Sequence, residues 1–292
     1  FIQGVGSATP MFLSVALVGD IFHSIERSKA VGYLEAANGM GKISSPIIGA
    51  AVGLISWKAV FFLYPLVAFP VAILTWIFIN EPQKRVKTSI KEEFNAFKIF
   101  KNTSRILTLL AAFLSIFILI GSMFWLSDYL EAKLQINQMI RGLIIALPAI
   151  AMMLTTLFAG IICKKFHPRL IMSCGLFLMA VGVFSIPLSV NTIFFWPVIV
   201  IIGIGAGTAL PAVDTVSTSV ESKDIRGRVT TVYGAVRSLG GALSPITISL
   251  LLDIGFTATF LTIAAGAGAA GVAIYILLKE KDILPKELLP EN

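Results

Sequence analysis

The chain has 292 residues, of which 57% are apolar and 13% charged, and its mean hydropathy is +0.90. A water-soluble domain averages about 25% charged residues, so this composition excludes an ordinary soluble fold. The formal net charge of +7 lies mostly in short loops between long apolar runs, which fits the positive-inside bias of a membrane protein and not a nucleic-acid-binding surface.

In chain order, the apolar runs predict nine membrane spans, over residues 1–18, 30–55, 59–79, 106–126, 142–163, 170–188, 192–213, 229–252 and 256–278. Each is close to the ~20 residues that a helix needs to cross the hydrocarbon core. Strands of a membrane barrel would be about half as long and would alternate in polarity. Because lipid offers the backbone no hydrogen bonds, the runs are read as helices and the fold class as all-α. Eighteen of the 23 Lys and Arg residues follow the odd-numbered spans, whereas Lys58, Lys133 and Arg141 follow the even-numbered ones. This bias places the first set in the cytoplasm, so the chain is expected to begin outside and end inside. Phe1 is not a start methionine and no basic leader precedes the first span, so the chain is expected to lack an N-terminal part. Cys163 and Cys174 imply no disulfide framework. His23 and His167 sit beside basic clusters and are read as solvated loop residues, with no metal site and no cofactor.

The chain also repeats itself. A shift of 199 positions places Gly4 on Gly203, Gly6 on Gly205, Arg27 on Arg226, Lys29 on Arg228, Gly41 on Gly240, and Ser45-Pro46-Ile47 on Ser244-Pro245-Ile246. Both copies are two spans joined by a basic loop, and they point the same way. Parallel repeats about an axis along the membrane normal are one way of building a large transporter.

These residues carry a family resemblance. Phe1-Ile2-Gln3-Gly4-Val5-Gly6 looks like the end of the major facilitator signature R-x-x-Q-G-x-G on the family's fourth helix. The signature arginine would fall immediately before Phe1. Gly41-Lys42-Ile43-Ser44-Ser45-Pro46-Ile47-Ile48-Gly49-Ala50 resembles the antiporter signature G-x-x-x-G-P-x-x-G-G on the fifth helix, departing from it at Ser45 and Ala50. Gly160 to Arg169 is similar to the loop G-x-x-x-D-R-x-G-R between the eighth and ninth helices, without its aspartate and second glycine. The resemblance implies the major facilitator fold, with nine of its twelve helices, the fourth to the twelfth, in this chain. It divides the chain into a remnant of an N-terminal bundle (1–80), a basic cytoplasmic linker (81–105), a complete C-terminal six-helix bundle (106–278) and a cytoplasmic tail (279–292). In the linker, Phe94, Phe97, Ile99 and Phe100 are placed to lie on the membrane surface.

Charges inside the spans mark the expected pathway. Lys42 falls roughly 18 Å into its span and Arg237 roughly 12 Å into its own, at the 1.5 Å rise of a helix. A lysine near the midplane costs on the order of 3 kcal/mol on insertion scales, so such a side chain should face a cavity or a partner. Glu35, Asn38 and Lys42 share one helix face, and the repeat sets Arg237 on Asn38. These four and Asp214 are the expected substrate or proton pathway, the alternative for Lys42, Arg237 and Glu35 being that they neutralise one another as structural glue. Lys42, Arg237 and Glu35 together give a charge of +1, which predicts a preference for anionic or zwitterionic amphiphiles. Gly41, Ser45, Pro46 and Gly49, with Gly240, Ser244 and Pro245, are the expected packing or gating residues, since small residues every four positions let helices approach closely. The resemblance adds a gating role for Asp20. It implies a proton-coupled exporter of amphipathic or drug-like molecules, not an enzyme, working as a monomer in a bacterial plasma membrane. Its expected partners are a small-molecule substrate, protons and lipid. A metabolite symporter on the same fold is the alternative, and a membrane enzyme or scaffold a more distant one.

Overall fold

The computed structural model describes residues 24–78, 102–218 and 223–283, with side chains over 37–78, 102–158, 166–217 and 229–283. Eight α-helices and no strand occur among the described residues. They are α1 (Ser24–Gly53), α2 (Ala59–Phe78), α3 (Thr103–Ala132), α4 (Gln138–Lys165), α5 (Pro168–Ser189), α6 (Phe195–Thr218), α7 (Lys223–Ile254) and α8 (Phe256–Leu277). A short 3-10 turn at Glu280–Asp282 follows. The expected span over 1–18, most of the linker 81–105 and Asp20 lie outside the described residues, so eight helices stand where nine spans were expected.

Seven of the eight, α2 to α8, are long and apolar enough to cross a membrane. α1, described with side chains only over 37–53, is not among them, and Asn38, Lys42, Ser44 and Ser45 dilute its apolar run there. The helices also outrun several of the expected spans. Hydropathy marks the part in hydrocarbon, whereas the backbone ladder continues until a cap or a turn ends it. Asn102 begins α3 by accepting the N–H of Ser104 at 2.8 Å, and Asn137 begins α4 by accepting that of Met139 at 2.8 Å, as N-cap side chains do. The end of the expected linker, 103–105, is therefore helix. Conversely, α6 starts three residues later than expected, because Ser189 to Thr192 closes a turn in which Ser189 O accepts both the N–H and the hydroxyl of Thr192.

The chain divides into two compact units, Phe1–Ser89 with Tyr129–Ala146, and Ile90–Asp128 with Leu147–Asn292. In the first unit α2 buries none of its residues and carries two internal prolines, Pro65 and Pro70. Its exposed Phe61, Phe62, Phe69 and Trp76 suit a lipid surrounding. In the second unit the core joins five helices: Leu107, Ala111 and Ala112 of α3, Met172 and Leu176 of α5, Val213 and Val216 of α6, Tyr233 of α7, and Ile274 of α8. At the other end Trp125 packs against Phe195, Phe256 and Phe260, with ring centroids 4.9–6.0 Å apart.

Glycines set how closely these helices approach. The run Gly203-Ile204-Gly205-Ala206-Gly207 lies mid-helix in α6, so it forms no nucleotide-binding loop. Gly203 and Gly207 are one turn apart and face α4, against the carbonyls of Pro148 and Met152, while Gly205 faces the other way onto α5. A Cβ on Gly175 of α5 would stand 2.7 Å from both Ala209 Cβ and Gly205 O. Backbone cannot yield as a flexible side chain does, so Gly175→Val is expected to destabilise the second unit by about 1–3 kcal/mol. Thermal unfolding of the solubilised protein measures this, and an unchanged Tm would show that α5 and α6 separate freely.

Candidate functional site

The first copy of the repeated stripe lies on α1, and two of its faces differ. Gly41 and Gly49 look onto open space, with nothing within 4 Å of an added Cβ. Ser45, between them, is exposed. Roughly 100° round the helix, Pro46, Ala50 and Gly53 form the face that meets α4. A Cβ on Gly142 would stand 2.6 Å from Ala50 Cβ and 2.8 Å from Pro46 O, and one on Gly53 would strike the side chain of Gln138. Pro46 has no N–H to give the carbonyl of Lys42, so the helical ladder is interrupted there. Lys42 stands one turn before Pro46, is partly buried, and is not without a partner. Asn38 is partly buried as well. Glu35 lies on α1 in line with them, but its side chain is outside the described part. Beyond this face, Arg141 pairs with Glu131 across the α3–α4 turn.

The second copy of the stripe, on α7, is filled by α3. Gly240 lies against the Phe113 carbonyl, 2.5 Å from an added Cβ. Ser244 is fully buried and donates its hydroxyl to Phe117 O, close to Gly121. Pro245 is partly buried one position on.

Arg237 stands one turn before Gly240 and reaches across to α6. Its Nη1 donates to Asp214 at 3.1 Å from Oδ1 and 3.4 Å from Oδ2. The arginine side chain is 16% exposed and the aspartate 41%. Two residues that the sequence marks separately are thereby brought together. The pairing changes the charge count: the expected +1 included Arg237 and left out Asp214, and with the aspartate against it the sum over the four groups is zero. A preference for anions therefore cannot rest on net charge. Glu35, Asn38 and Lys42 belong to the first unit and Asp214 and Arg237 to the second.

One polar cluster was not expected. His167, read from sequence as a solvated loop residue, has its Nδ1 2.6 Å from Oε2 of Glu280, and the N–H of Arg169 donates to Oε1 of the same carboxylate at 3.3 Å. Glu280 is 9% exposed. This joins the α4–α5 loop to the segment after α8. Beside it, Ser104 Oγ accepts the N–H of Lys279 at 2.9 Å and donates to Asp282 at 3.4 Å. The charged stretch after the last span gave no hint that one of its acids would be buried. Glu280→Ala leaves the Arg169 N–H and the His167 ring without their acceptor, and is expected to cost about 1–3 kcal/mol. Chemical denaturation of the purified protein measures this, and a loss below the error of the method would make the clamp ornamental.

Helices apolar enough for a bilayer, with an ion pair held between two of them, define a multi-pass membrane protein. The sequence model of the Major Facilitator Superfamily matches residues 1–245 and 126–291. The chain belongs to the Major Facilitator Superfamily, a family of membrane transporters. It is 26% identical to the Bacillibactin exporter of Bacillus subtilis (strain 168), over 98% of this chain and 72% of that protein. The Multidrug efflux protein YfmO of the same organism is 27% identical over 88% of this chain and 63% of its own length. The Multidrug efflux pump LfrA of Mycolicibacterium smegmatis is 29% identical over 63% of this chain and 36% of its own. The chain thus spans between 36% and 72% of the length of these relatives.

Proposed function

We propose that the intact protein is a secondary active transporter that exports amphipathic small molecules in exchange for protons. The observation that carries this reading is the seating of Gly142 on the carbonyl of Pro46, the proline of the antiporter-like signature on α1, roughly 100° round the helix from the open Gly41–Gly49 stripe. A proline-interrupted helix held against a neighbour at backbone distance can rock or slide with little side-chain rearrangement. The names of the relatives, an exporter and two multidrug efflux proteins, support export over uptake. In this reading residues 1–80 belong to an N-terminal bundle and 106–278 form the C-terminal one. The linker and tail are cytoplasmic, and the two bundles rock about a site near the midplane.

Flux in sealed vesicles holding the full-length protein tests the proposal. An imposed pH gradient is expected to drive an amphipathic dye against the direction of proton flow. Dye and protons moving together would favour the metabolite symporter, and flux indifferent to the gradient would remove proton coupling.

A further inference from the structure

The guanidinium of Arg237 is only partly engaged. All of its contact with Asp214 is made through Nη1, which reaches both carboxylate oxygens. This is not the parallel two-nitrogen fork in which arginine usually grips a carboxylate. The other N–H donors, on Nε and Nη2, have no partner among the described residues, and they are not sealed away as Nη1 of Arg105 is. An ionised group within a span does not face lipid; it faces protein or a water-filled path. Asp214, at 41% exposure, stands on the open side of the pair.

We infer that Arg237 is the anion subsite of the transport pathway: its free edge binds a carboxylate, sulfonate or phosphate oxygen of the substrate in two-point fashion, and Asp214 is a built-in competitor for the same cation. This rests on the reading of the protein as a transporter and names the class of substrate that site takes. It does not require a net positive cavity, because the selectivity comes from donors that Asp214 leaves unused. A planar fork recognises an oxyanion by geometry as well as by charge. Asp214 balances the arginine when no substrate is present, so the buried cation is never uncompensated. When an oxyanion arrives, the guanidinium can hold both acids or exchange one for the other, and a substrate without an oxyanion gains less from it.

The test compares 2-naphthoate with its neutral counterpart 2-naphthamide, binding to the full-length protein in lipid nanodiscs. The wild type is expected to favour the carboxylate by roughly tenfold, the value of one charge-assisted hydrogen bond. Arg237→Gln should erase this difference by lowering the carboxylate's affinity by far more than the amide's. Asp214→Asn, which removes the competitor and keeps the arginine, should strengthen the carboxylate by about three- to tenfold without affecting the amide. Tetraphenylborate, an anion with no oxygen, feels only the change in charge, so both changes should move its affinity in the same directions but less than the carboxylate's. The subsite is overturned if the wild type shows no carboxylate preference, if the preference survives Arg237→Gln, or if Asp214→Asn weakens the carboxylate. Should Arg237→Gln fail to fold, Asp214→Asn decides alone. Failure of the transporter reading would look different: no vectorial flux in vesicles by the wild type, whatever the binding preference.

Discussion

Gly142→Val is expected to abolish transport by the intact protein while leaving it inserted in the membrane. The added Cβ would stand 2.6 Å from Ala50 Cβ and 2.8 Å from Pro46 O, closer than real Cβ contacts come. One of the two obstacles is backbone, in the turn of α1 where Pro46 already interrupts the ladder. Relief therefore requires the helices to move apart, at a cost of about 1–3 kcal/mol. A change of that size shifts a conformational equilibrium roughly 5- to 150-fold, enough to trap a rocking transporter in one state. Gly142→Ala should be impaired to a lesser degree, because its single methyl meets the same atoms without the branches. Gly266→Ala on α8, where nothing lies within 4 Å, should transport as the parent does. Dye efflux from vesicles at matched protein levels measures all three. Normal efflux by Gly142→Val would mean that the α1–α4 contact is not needed for function, and the proposed mechanism would lose its main structural support.

That contact was half legible in the sequence. The recurrence Gly41, Ser45, Gly49, Gly53 announces close packing, and Pro46 announces a break, both from residue type alone. Which face packs was not legible, because spacing along one helix fixes neighbours on that helix and not the helix opposite. In the structure Gly41 and Gly49 are open, and Pro46, Ala50 and Gly53 carry the contact. Helix existence was the easiest feature to read, since a run of ~20 apolar residues has few other uses. Helix ends were harder: Asn102 and Asn137 cap their helices outside the apolar runs, where hydropathy carries no information.

The ion pair follows the same logic. Asp214 and Arg237 each stood out as ionised groups in or beside apolar runs, and burial cost says that such groups need partners. Their pairing is a cross-helix fact, set by how α6 and α7 lie together. The His167–Glu280 clamp was less legible still. Its two residues lie 113 positions apart, one in a loop beside basic residues and one in a charged stretch, and both looked wet. Neither carried the hydropathy conflict that drew attention to Lys42 or Arg237.

Glu35→Gln is expected to remove proton coupling from the intact transporter and to spare substrate binding. Coupling by protons needs a carboxylate that is alternately ionised and protonated as the pathway changes sides. Within the repeated spans Glu35 is the acid in line with Lys42, on the same face and seven residues before it, which at the rise of a helix puts it about 10 Å nearer the end of the span. Glutamine keeps the size and hydrogen-bonding of the protonated acid but never releases a proton, so the variant is held in one coupling state. Coupling between two ligands of one protein typically amounts to 1–3 kcal/mol, or roughly 5- to 150-fold in affinity, and that factor should vanish. Flux driven by a pH gradient is then expected to fall to the leak, while equilibrium exchange of labelled substrate at equal pH continues. Lys42 sharpens the test. If Glu35 balances that lysine instead of carrying protons, Glu35→Gln should weaken both kinds of flux alike, because it leaves the lysine's charge uncompensated in the span. Selective loss of gradient-driven flux identifies a coupling acid, equal loss a structural counter-ion, and no loss places proton transfer on another carboxylate, with Asp214 the next to substitute.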